Sequence, residues 1–126
     1  MKTRGALYAI LLLISALTVL SGLGQMLMPG LVLDLLSVQG SPAAQHFFGI
    51  IGMFMLLFGG AAAHALLSPD DQPIVVLWAG LQKFGASAAV GLGVLHAIFS
   101  PLALAVAGFD LLSGVLALAY WWRIRP

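Results

Sequence analysis

Four long apolar stretches, parted by short polar or turn-forming segments, fill nearly the whole chain. The first covers residues 5–28 and stops at Pro29-Gly30, a pair that does not continue a helix comfortably. The second covers residues 44–67 and ends in "SPDDQP", a polar turn with Pro69 and Pro73 as breakers. The third covers 74–99, and Ser100-Pro101 leaves room only for a short hairpin into the fourth, 101–122. At 1.5 Å of rise per residue each stretch crosses a hydrocarbon core about 30 Å thick. The pattern predicts an all-α integral membrane four-helix bundle, with residues 1–126 as one transmembrane domain.

One connection is long. "PGLVLDLLSVQGSPAAQ", between spans 1 and 2, sets Leu31, Leu33, Leu35 and Leu36 among Asp34, Ser37 and Gln39, the pattern of a short helix lying along the outer interface of the membrane, with an apolar loop capping the bundle as the alternative. The basic residues sit at the two ends, Lys2 and Arg4 before span 1, Arg123 and Arg125 after span 4. Positive residues favour the cytoplasmic side, so an even number of spans gives an N-in/C-in topology in the inner (plasma) membrane. Trp121 and Trp122 suit the aromatic belt on that side. The N-terminal apolar run is longer than the roughly 7–15 residues of a signal-peptide core, so it is expected to be retained as a span.

Composition narrows the function classes. Hydrophobic residues make up 62% and charged residues 7%, against about 25% charged in a soluble protein, and the mean hydropathy is +1.11. With no cysteine in the sequence, thiol–disulfide exchange and iron–sulfur ligation are excluded. No basic patch lies outside the chain ends, which sets nucleic acid aside as a partner. The lipid bilayer is the one partner the composition requires.

Inside the spans, polar residues fall into patterns. Ser15, Thr18, Gly22 and Gln25 recur at helical spacing in span 1 and form a stripe expected to face the bundle. Small residues mark helix contacts in lipid, since backbones approach closely only without bulky side chains. On that basis Gly49, Gly52, Gly59, Gly60 and Ala63 are expected contacts of span 2. Gly85, Ala89 and Gly93 are those of span 3, and Ala103, Ala107, Gly114 and Ala117 those of span 4.

The only charges within the spans are Lys83 and Asp110. Lys83 lies about 13–14 Å into span 3 from the inner side, and Asp110 about as far into span 4 from the outer side. In a 30 Å core those depths differ by about 3 Å. The two helices are antiparallel neighbours, so a direct or water-bridged Lys83–Asp110 pair is expected. Such a pair is a clasp that fixes register, or a proton- or ion-responsive centre.

The histidines offer a second candidate site. His46 and His64 are five turns apart on one face, about 27 Å along the axis, too far to share a metal. His96 falls near the outer end of span 3, at a depth comparable with Gln25, Gln45 and His46, on roughly the opposite face from Lys83. Those four outer residues are candidates for holding a metal, a haem, a chlorin magnesium or a quinone carbonyl. His64, in "GGAAAHAL", is a separate candidate that resembles the small-residue spacing of chlorophyll-binding antenna helices. No nucleophile–base pair, phosphate loop or zinc motif is present, and no catalytic residue is assigned.

The glycines that end span 1 before Pro29, the glycine-rich "HFFGIIGMFMLLFGG" of span 2 and "FDLLSG" of span 4 together resemble DoxX-like small four-helix membrane proteins. That resemblance implies a bacterial inner-membrane protein of a group sometimes associated with quinone-linked redox enzymes. Three functions follow as expectations. The first is a non-catalytic or accessory subunit of a membrane complex. The second is a small oligomeric proton- or ion-coupled transporter or channel using Lys83 and Asp110. The third is a haem-, pigment- or quinone-binding protein using the outer histidines.

Overall fold

The computed structural model describes residues 4–126. It contains α1 (Ala6–Leu27), α2 (Pro29–Leu35), α3 (Pro42–Leu67), α4 (Pro73–Leu95) and α5 (Ala103–Ile124). All but the seven-residue α2 are long and apolar enough to cross a membrane, the architecture of a multi-pass membrane protein. With four crossings, the chain ends and the α3–α4 connection share one end of the bundle, called here the termini end. The opposite end carries α2 and the α4–α5 connection.

Prolines start helices here as well as stopping them. Pro29, Pro42 and Pro73 each occupy the first helical position, where the missing N–H costs nothing and φ is already set. Ser41 caps α3 by accepting a hydrogen bond from the Ala44 N–H at 3.1 Å, meeting one of the orphan donors of the helix start. The extended run predicted for the third span is shorter than expected: α4 ends at Leu95 and α5 begins only at Ala103. Ala97 adopts a left-handed φ of 57°, and the Ile98 N–H returns to the Gly93 carbonyl at 2.8 Å, the hydrogen-bonding of a helix C-cap. The Phe99 ring then folds back onto Gly93, where a Cβ would collide with it.

Two helical hairpins make the bundle. In the first, α1 packs closely on α3; in the second, α4 packs closely on α5. Gly22, Gly52 and Gly59 bring the α1 and α3 backbones together: a Cβ on Gly52 would lie 2.6 Å from the Gly22 carbonyl oxygen, and one on Gly59 3.0 Å from that of Ser15. Gly80 and Gly114 do the same for α4 and α5, a Cβ on Gly114 falling 3.2 Å from the Gly80 carbonyl oxygen. In lipid, where apolar burial drives little, such backbone proximity and interhelical hydrogen bonding hold helices together. The hairpins meet more loosely, α3 beside α4 and α1 beside α5, so that α1 and α4 lie on a diagonal without backbone contact.

The small-residue faces agree with expectation on α3 and α5 and differ on α4. Gly52 and Gly59 of α3 and Ala103, Ala107, Gly114 and Ala117 of α5 are buried. On α4, however, Gly85 and Ala89 face outward, and Gly80, Val76, Lys83 and Gly93 form the inner face. Four-residue spacing defines a face but not its direction, and Lys83 turns this helix by about 160° from Gly85 at 100° per residue. Gly60 of α3 also points into open space.

Candidate functional site

The polar stripe of α1 supplies one wall of the site. Leu11, Ser15, Thr18, Gly22 and Gln25 are its buried residues, recurring every three or four positions as one helix face requires. Ser15 and Thr18 donate their hydroxyl protons to the carbonyls of Leu11 and Ile14, each at 2.8 Å, so both hydroxyl oxygens keep lone pairs free to accept.

Lys83 uses the second of these. Its ammonium donates to Thr18 Oγ1 at 2.6 Å and to Asp110 Oδ1 at 3.4 Å. The lysine comes from α4, the threonine from α1 and the aspartate from α5, so a single side chain spans the diagonal of the bundle and ties one hairpin to the other. Lys83 is 8% exposed and Asp110 9%. The Phe109 ring centroid lies 5.6 Å from the ammonium, which adds an attractive cation–π contact. Nearer the α2 end, the Ser87 hydroxyl donates to the Ala107 carbonyl at 2.8 Å and closes the α4–α5 seam.

One turn from Asp110, Ser113 is 1% exposed, and its Oγ has no hydrogen-bond partner within the protein. It lines a cavity of about 40 Å³ between the hairpins, together with Ser15, Thr18, Gln82 and Lys83. Towards the termini end, Leu11, Leu66, Val76, Ala117 and Tyr120 pack as an apolar cluster. Tyr8 braces that cluster by donating its hydroxyl to the Leu66 carbonyl at 2.7 Å. Arg125 stacks over Trp122, 3.3 Å from the ring centroid, and lies 5.6 Å from that of Trp121.

The histidines stand apart from this centre. His46, His64 and His96 are all exposed; His96 is the C-cap of α4, and His46 sits edge-on to Phe47 at 6.4 Å. Gln25 is buried and donates to the Phe48 carbonyl at 3.3 Å, whereas Gln45 donates to the Gly40 carbonyl at 3.2 Å. Among the described residues no hydrogen bond joins any two of Gln25, Gln45, His46 and His96, and no group of three histidines or acidic residues is placed to hold a metal ion.

Lys83 and Asp110 are therefore brought together as their sign and depth suggest. Thr18 as the lysine's closest partner, and Ser113 as an unpaired hydroxyl, carry no such signal in the sequence. Ser113 shares a helix face with Asp110 at three-residue spacing, and Thr18 belongs to the α1 stripe; only the packing of the hairpins joins them. Comparisons with family models, with curated proteins and with solved structures returned no match.

Proposed function

We propose that the chain is a non-catalytic accessory subunit of a larger membrane assembly, held rigid by the Lys83–Asp110–Thr18 clasp. The observation that carries this reading is where the small residues point. A Cβ on Gly85 of α4 or on Gly108 of α5 would meet nothing within 4 Å, so glycines suited to close backbone approach lie on the outside of the bundle. The charges inside the spans are meanwhile spent on links within it. Outward glycines give a partner helix room to pack, as small residues do between helices in lipid.

In this reading the termini end faces the cytoplasm, because Arg4, Arg123 and Arg125 gather there, and α2 lies along the opposite interface. The exposed Leu31 and Leu35 of α2, beside buried Leu33, suit that position. Membership of the DoxX-like proteins belongs to the same proposal and rests on the four-span order and the residues that carry the resemblance.

Co-purification in mild detergent tests it. The native protein is expected to migrate with a larger partner, and Gly85→Leu with Gly108→Leu is expected to release it while leaving the melting temperature of the chain within a few degrees. A monodisperse single chain at its own mass, under conditions that keep membrane complexes intact, would overturn the proposal.

The cavity beside the ion pair favours a second reading, a proton- or ion-coupled transporter. Here Asp110→Asn is expected to abolish pH-dependent flux in liposomes without unfolding the bundle. Flux that is unaltered by the substitution, or absent from the native protein, rejects it.

A further inference from the structure

The polar centre of the bundle has more hydrogen-bonding capacity than the protein itself satisfies. An ammonium has three donors, and Lys83 uses one on Thr18 and one on Asp110. Ser113 Oγ, 1% exposed, has no partner among protein atoms. A helical serine commonly bonds the carbonyl one turn back, as Ser15 does; Ser113 does not. Both groups line the same cavity of about 40 Å³, whereas a dry cavity is one lined by apolar groups alone.

From this we infer that the cavity is a specific hydration site, in which bound water bridges Lys83 Nζ and Ser113 Oγ. Its volume is above the roughly 10–15 Å³ needed to hold a water, and a buried water needs two to four polar partners. Lys83, Ser113, Gln82 and the hydroxyl oxygen of Ser15 line the space and supply them. Leu11, Leu66, Val76 and Ala117 of the apolar cluster line it towards the termini end. Towards the α2 end, the Ser87 hydroxyl bonds the Ala107 carbonyl and closes the α4–α5 seam.

Bound water changes what the ion pair is. Burying a lysine and an aspartate exacts a desolvation penalty that their mutual attraction recovers only when the remaining donors and acceptors are also satisfied. Water held at Lys83 meets that requirement, since a bridging water is nearly as favourable as a direct hydrogen bond. It also gives the ammonium protons a medium to exchange with, in the middle of an otherwise apolar bundle. The inference holds for a scaffold and for a transporter alike.

Water-edited solid-state NMR in lipid bilayers provides the test. The sequence contains two lysines, Lys2 and Lys83, so Lys2→Arg leaves Lys83 as the sole lysine side-chain signal after ¹⁵N labelling. Magnetisation from water is expected to reach Lys83 Nζ several-fold faster than the backbone amides of Ala103 and Ala107, which are buried without a polar cavity. Ser113→Val, which fills the space, should bring Lys83 down to their rate. Build-up at the Ala103 rate in the Lys2→Arg protein, or rapid build-up that Ser113→Val leaves untouched, would overturn the assignment. Ser113→Ala gives an independent sign. A hydroxyl bonded to water is missed when removed and the melting temperature falls, whereas an orphan hydroxyl in a dry cavity is better removed and the melting temperature rises, which also overturns it.

Discussion

Gly22→Ala should destabilise the bundle by about 3 kcal/mol, at the upper end of what overpacking a tight contact costs. A single methyl has nowhere to go. A Cβ at this position would collide with the Gly52 carbonyl oxygen and lie 2.7 Å from the Leu56 amide nitrogen. Both obstacles are backbone, so no side-chain rotation relieves them and α1 must move away from α3. Moving it also weakens the contact of Thr18 with Lys83, because Thr18 lies one turn away on the same face of α1. Gly60→Ala on α3 is the matched control. A Cβ there meets nothing within 4 Å, and alanine gains up to about 1 kcal/mol of helix propensity over glycine. Melting curves in detergent should therefore move in opposite directions for the two substitutions.

Lys83→Met and Asp110→Leu, each alone, should destabilise by about 3–5 kcal/mol, the usual cost of stranding one member of a buried ion pair. Lys83→Met leaves a carboxylate 9% exposed with no other hydrogen-bond donor among the described residues. Asp110→Leu leaves the ammonium with Thr18 as its protein hydrogen-bond acceptor and the Phe109 ring face nearby. With Lys83→Met, which also removes the bond to Thr18, the hairpins should come apart more readily than either hairpin unfolds. Glycine contacts hold α1 to α3 and α4 to α5, while the α1–α4 diagonal is crossed by the lysine side chain.

The sequence carries the ion pair because charge in a membrane span is scarce. Two opposite charges at matching depth on helices joined by a short connection have few places to go but to each other. The α1 stripe is legible for a similar reason: Ser15, Thr18, Gly22 and Gln25 repeat at helical spacing in a segment made mostly of leucine, isoleucine and alanine. Helix order around the bundle is not written locally. That α1 adjoins α5, and that Thr18 faces Lys83 across a diagonal, follow from how two hairpins dock, a contact between residues 65 positions apart. Gly85 and Ala89 are the instructive error. Their spacing suits a helix contact, but the lysine needs the interior and α4 rotates to provide it, which leaves the glycine outside. The early end of α4 is equally hidden, because Ala97 takes a left-handed turn that glycine ordinarily marks.

A double-mutant cycle on Lys83 and Asp110 tests most directly whether the two buried charges act as one pair at the centre of the bundle. Melting temperatures are measured for the native chain, Lys83→Met, Asp110→Leu and the double variant in the same detergent. Two apolar side chains of similar bulk can replace a buried pair at little cost, or with a gain. The double variant is expected to melt near the native protein and well above both single variants. If the two losses simply add, the charges do not act on each other, and the pair at the centre of the clasp is not what holds Lys83 in the interior.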